Sequence, residues 1–284
     1  RARVFRENTS VSTSILDSVE DEDLLTPVDS KNWLSIFKRP EVLGFISIAV
    51  ITLVNSRNRF GALVGGALPI SPPGATDLWR FYFESWHQVG MGSSLATPPW
   101  VAIIAIASVV VLGKVQFFIT LFFLIAPLLM MWSCFYLLKK LTSSTWISIP
   151  AALLYALSPV ALASISSGHI ATLVLLIAAP MVALILHDWW SIEIYSWRKI
   201  FSVSLLFSLL YAFTLMSFII ALVAAIAISV DNYREFARTV DKELFDQRIL
   251  KRAAIVFIPF LINAPFSFEA LVNPSRFLTE PGLL

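Results

Sequence analysis

Charge is scarce in this chain. Only 14% of its 284 residues are Asp, Glu, Lys or Arg, 57% are hydrophobic, and the mean hydropathy is +0.78. Globular domains average about 25% charged and about 45–50% apolar residues, so a soluble fold is excluded. Cysteine is nearly absent as well. Cys134 stands alone in an apolar run, which rules out an internal disulfide and a thiolate metal site and leaves packing as its role. There is no Gly-rich phosphate loop, Cys/His cluster or nucleophile elbow, and no aspartate-rich nucleotide-sugar motif. A net charge of +2 without a basic cluster interleaved with aromatics excludes nucleic acid as a partner. Residues 1–30 hold no apolar core, so no signal peptide is expected within them. Because it begins at Arg1 and stops at Leu284 without a tail, we expect a fragment of a longer protein.

What is abundant is apolar residues in long blocks, the pattern of membrane spans. Residues 1–39 are polar, with an acidic run from Asp17 to Asp29, and read as a cytoplasmic linker. Trp33, Ile36 and Phe37 beside Lys38 and Arg39 form a short interfacial anchor. Residues 40–284 read as a multi-span domain. A first, short span covers about Glu41–Asn55 and needs tilt or flanking anchors. A first external loop, 56–114, comes next; its Pro- and Gly-rich part at 61–75 is irregular. The Trp100–Gly113 run is shorter than the ~17 residues a span usually needs. Longer blocks occupy Val115–Leu138, Thr145–Ala163, Ile170–His187, Lys199–Val230 and Ala253–Leu271. The Lys199–Val230 block would be about 48 Å as one helix, too long for one crossing of a ~30 Å core, and we divide it at Phe213–Ser217. The charged connection 231–252 is expected to be a cytoplasmic amphipathic helix. Pro127, Pro150, Pro159, Pro180, Pro259 and Pro265, in or near the spans, predict kinks.

The positive-inside rule orients these blocks. With residues 1–39 cytoplasmic, 100–113 shallow and 199–230 crossing twice, 16 Lys and Arg lie inside and five outside. If 100–113 crosses and 199–230 is one span, the split is 13 to eight. The first arrangement is preferred. It predicts an all-α, polytopic helical bundle of about seven spans with interfacial helices on the outer surface.

The most polar and most aromatic segment between hydrophobic blocks runs from Gly74 to Ser94. Asp77, Arg80, Glu84 and His87 are spaced 3, 4 and 3 and would share one helix face. Trp79, Tyr82, Phe83 and Trp86 would cover its other sides. Such a helix, at about 76–89 with Thr76 as its cap, would lie at the outer membrane surface. The Ser164–His169 turn falls on the same side, so Asp77, Glu84, His87 and His169 are expected to meet. Each also has a plainer reading. Asp77 complements the helix dipole, Arg80 and Glu84 form an i,i+4 surface pair, His87 snorkels at the interface, and His169 caps the Ile170 helix.

Several segments resemble, in order, the membrane region of large actinobacterial glycosyltransferases: Gly66-Ala67-Leu68-Pro69, Asp77-Leu78-Trp79, Trp86-His87-Gln88-Val89-Gly90-Met91-Gly92-Ser93, Pro98-Pro99-Trp100, Tyr155-Ala156-Leu157-Ser158-Pro159, Gly168-His169 and Glu280-Pro281-Gly282. In that family a soluble family 2 domain precedes a multi-span region, so the resemblance implies such a domain before residue 1. The order of parts is also similar to the C-type (GT-C) glycosyltransferases, including arabinofuranosyltransferases. That similarity implies sugar transfer from a polyprenyl-phosphate donor to a glycan acceptor at the outer face. Asp77 matches the loop acid of that class, and Arg80, Glu84, His87, His169, Trp79 and Trp86 become substrate-binding candidates. The family often has Gly-Arg at Gly168-His169 and Pro at Gln88. The external turn lacks the acid of metal-dependent members, so neither a metal nor another cofactor is implied. Two other readings stand beside this one: a non-catalytic anchor or export module for an upstream domain, and a lipid-linked sugar transporter. Spans nearly free of internal charge count against transport.

Overall fold

The computed structural model describes residues 39–57, 63, 66–68, 74–84, 86, 96–190, 196–236 and 242–275. The chain divides into two units, Arg1–Leu43 and Gly44–Leu284. Of the first, only 39–43 are described, and they open a helix that continues into the second. The expected linker and anchor at 1–38 lie outside the described residues, as do His87, the Gln88–Ser93 stretch and Glu280–Gly282.

Among the described residues the fold is all helical. The helices are α1 (Pro40–Ser56), α2 (Ala75–Phe83), α3 (Trp100–Ser108, continued by a 3-10 turn to Val111), α4 (Val115–Thr142), α5 (Thr145–Ala156), α6 (Pro159–Ser167), α7 (Ile170–Trp190), α8 (Trp197–Phe213), α9 (Met216–Phe236), α10 (Lys242–Ile262) and α11 (Phe266–Val272). Three stretches are long and apolar enough to cross a membrane: Val115–Thr142, Thr145–Ser167 and Ile170–Asp188. A fourth crossing is available if Gln247–Ile262 and Phe266–Val272, bent by 97° at their junction, act together. Pro40–Ser56, Trp100–Val111 and Met216–Asp231 are shorter apolar helices. Among the described residues there are thus three, or up to four, spanning elements of full length, where the sequence blocks predict about seven.

The break expected within 199–230 occurs at Thr214–Leu215. The Thr214 N–H still bonds the Leu210 carbonyl at 2.8 Å, and the next helix restarts on Ser217, whose N–H and hydroxyl both donate to the Thr214 carbonyl. The 253–271 block bends at Asn263–Pro265, in line with the kink expected at Pro265. One expectation is corrected. The 231–252 connection is not a helix of its own: α9 continues through Asp231 to Phe236 and α10 already starts at Lys242.

Helices α4, α5–α6 and α7 run up, down and up. Asp188, at the end of α7, pairs with Lys140 near the end of α4 (3.4 Å) and with Lys199 at the start of α8 (3.3 Å). The Gly168–His169 turn consequently lies at the opposite end, where α4 begins. Helix α2 is tied to that same end, since the Ala75 N–H bonds the carbonyl of Gly113, directly before α4. Helix α7 serves two cores. Its Leu173 packs in one with Ile119, Met130 and Ala152, and its Ala178 and Ile185 pack in the other with Phe207, Tyr211 and Phe260.

Proline placement explains one polar contact inside this apolar packing. Pro180 within α7 has no N–H, which leaves the Leu176 carbonyl four residues earlier without its helical partner. The Tyr155 hydroxyl of α5 donates to that carbonyl at 2.6 Å. Tyr211, fully buried in the other core, has a hydroxyl with no partner. The same substitution should act oppositely at the two sites. Tyr155→Phe strands a carbonyl and lowers stability by about 1–3 kcal/mol, whereas Tyr211→Phe removes an unpaired buried hydroxyl and is neutral or stabilising. Thermal unfolding of the two purified variants, compared with the parent, measures the contrast.

Candidate functional site

The Asp77 segment starts its helix with one donor engaged from outside: the Ala75 N–H, which no carbonyl of its own helix can take, bonds the Gly113 carbonyl at 2.9 Å. Leu112 and Gly113 adopt left-handed backbone (φ 59° and 75°), turning the chain so that the Gly113 carbonyl accepts from Ala75. Helix α2 then starts from Gly74, which is extended and offers no side-chain cap. Thr76 is therefore inside the first turn rather than capping it, contrary to expectation. Asp77 also lies in the first turn, where its charge complements the helix dipole. Its Oδ2 stands 3.4 Å from where a Cβ on Gly74 would be, folded back toward the helix start.

The helix ends earlier than its expected limit of 89. Glu84 is already extended (φ −65°, ψ 130°), although its N–H still bonds the Arg80 carbonyl at 2.9 Å. The Phe81 carbonyl in the last turn accepts a hydrogen bond from the Thr97 hydroxyl at 3.3 Å. A side chain from a later segment so completes a helix end that sequence periodicity alone would continue. Trp86 falls beyond the end, 56% exposed, and does not belong to the helix.

Helix α2 packs on α3 by burying Leu78 against a core that contains Trp100 and Val101. Their junction forms a groove of about 370 Å³ lined by Asp77, Arg80, Glu84, Leu78, Phe81, Trp100 and Val101. Three of the predicted polar residues therefore share one concavity with an apolar floor. The Arg80 Nε lies 3.5 Å from Glu84 Oε1, and both side chains are well exposed, at 80% and 48%. An ion pair in that setting contributes little to stability, so both groups remain available to a ligand. On another side of α2, Trp79 stacks on Phe83 (centroids 5.6 Å apart, 14° between planes) and meets Tyr82 edge-on at 6.1 Å. Phe83 is 75% exposed and presents this aromatic patch outward.

His169 is not among the described residues lining the groove. Its N–H bonds the Ser164 carbonyl at 2.9 Å and its own carbonyl accepts from Leu173, so its backbone ends α6 and starts α7. The neighbouring Gly168 lines a different and larger cavity. No group of three or more metal-ligating side chains occurs among the described residues.

Sequence reasoning passed over Glu269 and Asn263. The Glu269 carboxylate receives the Ala96 N–H at 2.9 and 3.0 Å. It thereby holds the segment in which Thr97 reaches Phe81 and from which Trp100 enters the groove. Asn263 is buried at the α10–α11 bend and donates to the Ser208 carbonyl (3.1 Å) and hydroxyl (3.2 Å) and to the Pro259 carbonyl (2.8 Å). The available signal was a lone acid and an Asn-Ala-Pro step within an otherwise apolar block.

The groove's charges and its support should respond differently to substitution. Arg80→Ala and Glu84→Ala should each change stability by no more than about 0.5 kcal/mol. Glu269→Ala should cost about 1.5–3 kcal/mol, because the Ala96 N–H loses a charged acceptor. Thermal unfolding in a fixed lipid environment reads all three. Comparison with protein-family profiles, with curated proteins and with solved structures finds no match for this chain.

Proposed function

We propose that this chain is the membrane-embedded part of a cell-envelope glycosyltransferase that transfers sugar from a polyprenyl-phosphate donor at the outer face of a bacterial plasma membrane. The observation that carries the reading is the α2–α3 groove, where an exposed carboxylate, a cation and a second carboxylate share an apolar floor. The segment resemblance supports it. In this mechanism Asp77 takes the proton of the acceptor hydroxyl as general base. The acceptor oxygen bonds to the anomeric carbon, and the bond from that carbon to the phosphate oxygen breaks. Polyprenyl phosphate departs with the electron pair, and Arg80 stabilises the charge developing on it. Glu84 orients Arg80, while the Trp79–Phe83 stack and the exposed Trp86 offer faces for a sugar ring or the lipid chain. His87 and His169 remain binding candidates by residue type.

A family 2 domain before residue 1 would make this chain the second part of a larger enzyme. The topology in the proposal is seven crossings with residues 1–39 in the cytoplasm, which puts the Lys140–Asp188–Lys199 end of the bundle inside and the groove outside.

Asp77→Asn in the full-length protein should reduce sugar transfer to polymer or lipid-linked acceptor by about 10²–10⁴-fold at normal expression, the range for loss of a general base. Full activity in that variant would leave the anchor or export reading in its place. Orientation has a separate test: a cysteine at Lys139, in a Cys134→Ser background, should react with an impermeant maleimide only after the membrane is opened. Reaction in intact cells would reverse the assignment.

One observation favours the transporter reading. Broken helices with polar residues at the break are characteristic of transport sites, and α10–α11 is bent by 97° beside Asn263. If that reading holds, Asn263→Ala should abolish passage of a fluorescent lipid-linked sugar across proteoliposomes, while Asp77→Asn should leave it intact.

A further inference from the structure

A cavity of about 560 Å³ lies away from the Asp77 groove, between α1, α4 and α6. Its volume falls within the ~300–1,000 Å³ typical of ligand sites. One end is shut by backbone. Gly66, with φ at +65°, sits so close to the Ser167 carbonyl that a Cβ there would collide with it, and the Ala67 N–H bonds that carbonyl at 2.8 Å. Beside this clasp Leu68 presses on Gly168, where an added Cβ would come within 2.7 Å of the leucine Cγ. The walls include Ile51, Phe123, Leu157 and Leu162. Leu162 is 40% exposed and Leu53, next to the lining residue Thr52, is 50% exposed. The flank is therefore apolar and continuous with surface of the kind a bilayer covers.

The polar lining has a definite hydrogen-bonding sense. Ser56 donates its hydroxyl to the Thr52 carbonyl (2.6 Å), Thr120 to Gln116 (3.0 Å) and Ser166 to Ala163 (2.9 Å). With their protons committed to their own helices, these oxygens keep only acceptor capacity. Thr52 is the exception. It is 9% exposed and its hydroxyl has no partner, a buried polar group whose desolvation nothing in the fold offsets. The exposed side chain of Asn55 adds a carbonyl acceptor and an amide donor.

We propose that this cavity binds a neutral bilayer glycolipid, with its hydrocarbon chain against the apolar walls and its hydroxylated head at Thr52, Asn55, Ser56 and Ser166. Acceptors at Ser56 and Ser166 call for donors on the ligand, which a polyol head supplies in number. A phosphodiester head without hydroxyl or amine protons, such as phosphocholine, presents only acceptor oxygens and would leave those groups unmatched. Thr52 has the one uncommitted hydroxyl proton among these lining hydroxyls and can serve a sugar oxygen. The site does not depend on any chemical role for Asp77.

The test places the full chain in lipid nanodiscs containing a diazirine-tailed monoglucosyl diacylglycerol. A matched set contains phosphatidylcholine with the same tails, whose head carries no hydrogen-bond donor, and photo-adducts are mapped by mass spectrometry. Glycolipid adducts, formed by the tail, should concentrate on the apolar walls at Ile51, Phe123, Leu157 and Leu162. Ala163→Trp, which fills the cavity, should reduce them at least about tenfold, and Ala163→Phe gives the same reading if the larger residue impairs folding. Thr52→Val should weaken glycolipid labelling without moving it, and Asp77→Asn should leave it unchanged. Equal labelling by the two lipids would overturn the head-group assignment. Adducts spread evenly over the exposed apolar helices, or indifferent to both Ala163 variants in folded protein, would overturn the site.

Discussion

The fold depends on a constraint that water normally relaxes. A backbone N–H or C=O freed inside apolar packing must find a partner within the protein, because each one left alone costs several kcal/mol in a hydrocarbon setting. The bond from the Tyr155 hydroxyl to the Leu176 carbonyl is the plainest case: Pro180 removes a helical donor and a neighbouring helix replaces it. The other interruptions obey the same rule. Ser158 lends its side chain to the Ala161 N–H at the start of α6, the Ser164 carbonyl takes the His169 N–H at its end, and Asn263 donates to the Pro259 and Ser208 carbonyls at the α10–α11 bend. The proline-bearing helices are accordingly joined by specific polar contacts as well as by apolar burial.

That constraint also shapes the two concave sites. The Asp77 groove exists because the Gly113 turn engages Ala75, Thr97 ends the helix at Phe81, and Glu269 holds Ala96 in place. A carboxylate 173 residues away in sequence from Ala96 thus supports the surface on which Asp77 and Arg80 stand. The second cavity is framed by the backbone clasp of Gly66 and Ser167, and its hydroxyls are mostly engaged by their own helices. In one site charge is exposed and available; in the other, neutral acceptors line an apolar chamber. The two would suit different chemical partners, an anionic or proton-yielding substrate in the first and a hydroxylated lipid in the second.

Composition and block length were enough to establish an all-helical membrane protein, since 57% apolar residues in long runs leave a low-charge chain no soluble alternative. Spacing alone also put Asp77, Arg80 and Glu84 on one face, because i,i+3 and i,i+4 neighbours coincide on any helix, and it located the break near Thr214. Tertiary structure decided the rest. Helix α2 stops at Phe83 where the distant Thr97 takes the Phe81 carbonyl, and its first donor, the Ala75 N–H, is taken by the Gly113 carbonyl rather than by a Thr76 cap. A kink at Pro265 was legible in the sequence, but that buried Asn263 ties it to the Pro259 and Ser208 carbonyls was not. Glu269 escaped notice for the same reason: its partner is a backbone amide remote in sequence, and periodicity carries no information about such pairs. Local patterns state which groups a segment must satisfy; only the folded chain determines which partner satisfies them.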